Sequence, residues 1–184
     1  LYILGIMARP LKYKATFRKA GVEGLEGVIA RYREECAKLK NHTNRGLVQF
    51  ALHIRRRTET KPPYTPVDRG NLRASWFIAS QTGIVEDVLG FSGDFKTPRK
   101  HHITKGELAA QHRAVQAAAL SEVRSHNEPN VMFGYSANYA FVVHEKIEAE
   151  HWSREGSGPK WLEAHMNGSI DTFKKIMIDN AKIL

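Results

Sequence analysis

The sequence predicts an α+β domain: an antiparallel sheet of about three to four strands, packed by a long N-terminal helix and a C-terminal helix, with an inserted loop and helix. Three observations predict it. Apolar residues recur at helical spacing from Val22 to about Arg57 and again from Leu162 to Met177. Short runs rich in β-branched and aromatic residues lie between these stretches, beside glycine turns. The order helix, strands, inserted helix, strand, helix does not alternate as a parallel α/β sheet would. A single domain over residues 1–184 fits this order, with 1–20 as an N-terminal arm and about 93–130 as the insertion.

The chain starts LYILGIMARPLKYK. Its leading apolar residues have no positive region before them and are too short to span a bilayer, so no signal peptide is expected. Met7 is the expected usual start, with residues 1–6 as an extension. In the first helix Val22, Leu25, Ile29, Tyr32, Cys36 and Leu39 form one stripe, continued by Leu47, Phe50, Ala51 and Ile54. Unbroken, this helix would be roughly 50 Å long at about 1.5 Å per residue. Glu34 and Lys38 stand at i,i+4 in the favourable order on its outer face. NHTNRG, residues 41–46, is poor helix material and leaves room for a kink or break. KPPYTP ends the helix, because Pro62, Pro63 and Pro66 cannot continue its ladder.

WFIAS, a QTG turn and IVEDVLGFS read as a hairpin. VMFGYS, 131–136, reads as a third strand, and NYAFVVHE as a strand or a helical turn. The insertion between them opens as a basic loop and continues as an alanine-rich helix. Thr104 and Glu107 have the spacing of a capping box at that helix's start. Few large apolar residues lie in the insertion, so it is expected to be peripheral to the core. GSGPK, 156–160, reads as a flexible linker, with Pro159 just inside the final helix. Leu162, Met166, Ile170, Phe173 and Met177 would share one face of that helix.

Composition and spacing exclude several chemistries. The lone Cys36 rules out an internal disulfide and a multi-cysteine metal site. His101 and His102 are adjacent and cannot share a face. HEKIE at His144–Glu145 lacks the second histidine of a zinc-protease helix, and His112, His126, His151 and His165 show no ligand spacing. No metal and no cofactor are therefore expected. No serine sits in a Gly-x-Ser-x-Gly elbow, and Asp68, Asp87 and Glu145 are not drawn together by any spacing. No segment reaches 18 uncharged apolar residues, so the chain reads as soluble, without a membrane partner.

The net charge of +9 implies attraction to polyanions. Arg55, Arg56 and Arg57, with Lys96, Arg99 and Lys100, are the candidates to face DNA, since phosphate contacts need Lys and Arg but no particular spacing. Tyr135, Tyr139 and Phe141 read more simply as a strand face than as a base-stacking platform.

TPVDRGNLRASW, 65–76, reads as a chain reversal. Pro66 stops what precedes it, and Asp68 can accept N–H bonds from Gly70 or Asn71 as an N-cap. Leu72 pins the turn inward and Trp76 begins a strand.

These residues, followed in order by VMFGYSANYAFVVHE and GSGPKWLEAHM, resemble the tail-completion proteins of long-tailed bacteriophages, also described as neck or head–tail joining proteins. The resemblance covers roughly residues 20–180, and the excursion from Gly93 to Asn130 is longer than it leads one to expect. It implies a structural virion protein without catalysis, made in the host cytoplasm and carried in the neck or tail. Copies would form a ring, a hexamer, joining the head connector to the tail tube or tail terminator and letting DNA pass in transient, non-specific contact. On the matching positions, Asp68, Gly70, Asn71, Leu72, Arg73, Tyr139, His144, Glu145, Pro159 and Trp161 would mark the fold and the contacts between subunits. The alternatives are another ring connector, a tail terminator or head-closure protein, and a basic non-specific nucleic-acid-binding module. A nuclease comes last, for want of an acid cluster.

Overall fold

A computed structural model describes residues 25–67, 70–86, 104–145 and 152–181. The elements run α1 (Leu25–Thr60), α2 (Asn71–Ala74), β1 (Trp76–Ser80), β2 (Gly83–Glu86), α3 (Lys105–Ser125), β3 (Val131–Tyr135), α4 (Ala140–Glu145), α5 (Trp161–Asn167) and α6 (Ile170–Ala181). The fold is α+β, as the sequence predicts. Its sheet is antiparallel, with strand order β2-β1-β3. The hairpin, as far as Glu86, and the third strand stand where their β-branched and aromatic runs put them, residues 87–92 of the hairpin lying outside the described residues, and NYAFVVHE resolves into the helical alternative as α4.

The core has two sides because β1 is buried along its whole length. Trp76 and Ile78 point one way, against Ala51 and Ile54 of α1, with Phe133, Tyr135, Leu162 and Met166 closing round them. Phe77 and Ala79 point the other way, against Ala119 and Val123 of α3. The expectation that the insertion lies outside the core therefore fails for α3. Ala119 and Val123 are small yet almost wholly buried against the sheet, so a low apolar volume per residue misled the reading. Its capping box is present: the Thr104 hydroxyl accepts from the Glu107 N–H at 3.2 Å, and the Glu107 carboxylate accepts from the Thr104 N–H at 2.7 Å. Residues 93–103 lie outside the described residues.

α1 runs unbroken through NHTNRG. Its weak helix formers sit where neighbours press: a Cβ on Gly46 would come 2.9 Å from Met177 Sδ, and the Asn44 amide donates to Gln81 Oε1 at 3.0 Å. Packing outweighs propensity there. After Lys61 the chain passes through a cis Pro62–Pro63 bond.

Three readings of the last segment are corrected. GSGPK is no flexible linker: the Tyr64 N–H donates to the Gly156 carbonyl at 2.9 Å, and Tyr64 bridges Ser157. Gly156, at φ 76, lets the Tyr64 ring lie against its backbone where a side chain would collide. Pro159 is not inside the helix, which starts at Trp161 with Lys160 before it in the left-handed region at φ 55. The final helix is also two helices, parted at Gly168 and Ser169. The break changes the facing, so Ile170 is exposed while Leu162 and Met166 reach the core and Phe173 packs edge-on to Phe50.

Candidate functional site: a buried joint and a basic face

Gly70 takes φ 83 at the N-cap of α2, a conformation glycine adopts without strain, and turns the chain so that Asn71 and Leu72 point inward. Asp68, read as the cap, lies outside the described residues. The buried Asn71 amide donates to the Tyr139 hydroxyl at 3.0 Å, and its Oδ1 lies 3.2 Å from His112 Nε2. The other nitrogen of His112 lies 2.7 Å from the Ser136 hydroxyl. Ser136 in turn donates its N–H to the Ser75 carbonyl at 2.8 Å. Three parts of the chain are thereby tied together: the 70–75 turn, the end of β3 and helix α3.

Serine, histidine and asparagine are also the residue types of a hydrolytic triad. A nucleophile must reach its substrate, whereas Ser136 is 3% exposed and its hydroxyl donates to the Ser75 carbonyl at 2.8 Å. The geometry is that of a clamp.

A second set of contacts joins the other motifs. His144 Nδ1 lies 2.8 Å from Glu145 Oε1, and the other carboxylate oxygen is ion-paired with Lys160. The Lys160 hydrogen bond, then that of His144, holds the Glu145 carboxyl down at about 2. The Lys160 N–H donates to the His144 carbonyl at 2.8 Å, and the His144 ring meets Trp161 edge-on at 4.7 Å. Trp161 is fully buried with Leu72, Ala137 and Ala140. Beside this cluster an apolar groove of about 220 Å³ follows β3, walled by Met132, Phe141 and Trp161.

Glu59, near the end of α1, is the third knot. Arg55 reaches its carboxylate at 3.0 Å, Arg73 at 2.5 Å and Arg154 at 3.6 Å. Arg154 also donates to the Glu59 carbonyl at 2.9 Å and lies 3.9 Å over the Tyr64 ring. Arg55 is 6% exposed, donates to the Arg73 carbonyl at 2.8 Å and stacks its guanidinium over Trp76. It cannot face DNA, and that expectation is withdrawn. Adjacent residues on a helix point about 100° apart, so three consecutive arginines never share a face.

Arg56 points outward, and Arg57 is half-buried with its Nε turned to His165. They border a hollow of about 270 Å³ together with His53, Thr60 and Lys61. His165, buried beneath, donates from Nε2 to the Pro63 carbonyl at 3.0 Å and accepts from Arg57 Nε at 3.4 Å. Burial lowers the pKa of His53, and the cations Arg57, Lys61 and Arg56 lower it further. Burial is also the main cause lowering His165. The hollow is thus a positive surface lined by one histidine, His53, held towards its uncharged form, and its cations can receive an anionic oxygen group. His53 and Lys61 were missed in the sequence. Their spacing with Arg56 and Arg57, at 53, 56, 57 and 61, is that of one helix face and could have shown them. Lys96, Arg99 and Lys100 lie outside the described residues.

Among the described residues no group of three or more His, Cys, Asp or Glu could hold a metal ion, and no helix is long and apolar enough to cross a membrane. No protein-family model, curated protein or solved structure matches the chain.

Proposed function

We propose that this chain is a structural virion protein of a long-tailed bacteriophage, a tail-completion or neck protein. Copies form a hexameric ring between the head connector and the tail tube or tail terminator. The observation that carries this reading is the meeting of its three sequence motifs. TPVDRGNLRASW, VMFGYSANYAFVVHE and GSGPKWLEAHM are far apart in the chain, yet Asn71 bonds Tyr139 and His144 packs on Trp161. Their polar groups bind one another, which suits a rigid subunit. Such a role needs no catalysis.

DNA passing through the ring requires attraction without grip. Arg56, Arg57 and Lys61 supply positive charge on one face, and phosphate contacts hold a duplex without reading its sequence. Duplex binding should be in the micromolar range or weaker at physiological salt, fall steeply as salt rises and ignore sequence. Charge reversal at Arg56 and Lys61 should remove it.

Gold-labelled antibody against the chain, applied to phage particles in negative stain, tests the placement. Label at the head–tail junction is expected. Label confined to the capsid shell or tail fibres, or particles carrying none of the chain, contradicts the reading. A nanomolar, sequence-selective DNA complex would favour a nucleic-acid-binding module instead.

A further inference from the structure

We infer that the upstream half of α1 is the surface on which a second copy of this chain docks, the two helices forming a short parallel coiled coil. Ile29, Tyr32, Cys36 and Leu39 are spaced three, four and three apart, the alternation of a and d positions in a heptad. Ile29, Tyr32 and Leu39 are 41%, 70% and 46% exposed, and Val28 beside them is 65% exposed. The same row continued down the helix is covered. Gly46, Phe50 and His53 meet Met177, Phe173 and Ser169 of the α5–α6 arm in turn, in antiparallel order. One seam therefore has a helical partner over its second half and none among the described residues over its first.

The flanking charges choose the partner and its direction. With Ile29 at a, Arg33 and Lys40 fall at e and Glu35 at g. In a parallel pair, Glu35 of one helix faces Lys40 of the other, and the reverse contact forms by symmetry. An antiparallel pair over the same seam is centred at residue 34, which sets Arg33 against Arg33 and Glu35 against Glu35. These like-charge contacts offset the Glu26–Lys40 pairs that the same arrangement forms at its ends, so only the parallel pair gains net charge complementarity. The branched Ile29 at a and Leu39 at d further favour two strands. Among the described residues Glu35 and Lys40 make exposed contacts, with Lys38 and the Asn127 carbonyl, which are free to exchange.

The pairing rests on α1 alone and not on the ring. Cys36, the sole cysteine, provides the test, because a-position side chains face each other across a parallel pair. The full chain is treated with a short bis-maleimide over a range of concentrations, with its mass followed by sedimentation. The expected result is a cross-linked dimer that grows with concentration and is lost in Ile29→Asp. Glu35→Lys should weaken it, and adding Lys40→Glu should restore it. A chain that sediments as a monomer overturns the inference. So does a dimer that Cys36 does not cross-link, which means another interface, and so does a monomer whose Cys36 resists a monofunctional maleimide, which means the chain's own arm covers the seam. Rings without Cys36 cross-links would remove the pairing and leave the ring; cross-linked dimers that never close would do the reverse.

Discussion

The two halves of α1 are built from one apolar stripe and have opposite fates. Downstream, Ala51 and Ile54 are wholly buried against β1, and Gly46 and Phe50 are crossed by α6. Upstream, Ile29, Tyr32 and Leu39 keep the same spacing and stand in the open. Hydrophobic periodicity reports that a face is apolar; it does not report what covers it. On the pairing inferred above, the exposed half is where a second copy would dock.

The largest expected effect separates the halves by stability. Ile54→Ala removes fully buried methylenes and should cost about 2–5 kcal/mol. Ile29→Ala, measured where the chain is monomeric, should stay within about 0.5 kcal/mol. Urea unfolding of both variants checks this, and equal losses would mean that the upstream half is covered after all.

Next comes the knot that ends the packed half. Glu59→Gln leaves Arg55, Arg73 and Arg154 without their common carboxylate and should lower stability by about 1–3 kcal/mol. A thermal melt indistinguishable from the parent would show that the three arginines do not depend on it.

A smaller effect follows pH. The pKa values of His53 and His165 are lowered from 6.5, so the unfolded chain takes up protons before the folded one does. Stability should be level above about pH 7 and fall as pH drops through 6.5 towards the folded values. Replacing both histidines with glutamine should flatten that slope. Because a bound anion favours charged histidine, duplex binding should strengthen over the same interval at constant ionic strength. The smallest effect is upstream: Glu34→Gln breaks a 2.9 Å pair with Lys38 whose members are both about half exposed, and the urea midpoint should not move.

Local chemistry made most elements legible. The stripe of α1, the prolines that end it, the Thr104–Glu107 capping box and the β-branched runs of β1 and β3 each act within a few residues. What escaped depends on distance in the chain. Nothing near His112 announces that its ring meets Asn71, 41 positions away, or Ser136, 24 positions away. The tripeptide Arg55–Arg57 reads as one basic patch, although the helix turns its members towards the sheet, the solvent and His165. The joint residues stood out as motifs, but whether each bears on chemistry or on packing was decided only by its partners. Trp161 shows this, since its place against Leu72 and His144 has no trace in its neighbours along the chain.

The claim that the chain functions by assembling with itself meets its most direct test in the mass and image of the purified full chain. Native mass spectrometry and negative stain, taken together across a concentration series, are predicted to show closed rings of one copy number with an open centre. A chain that remains a monomer, or that stops at a dimer at every concentration, would contradict the ring.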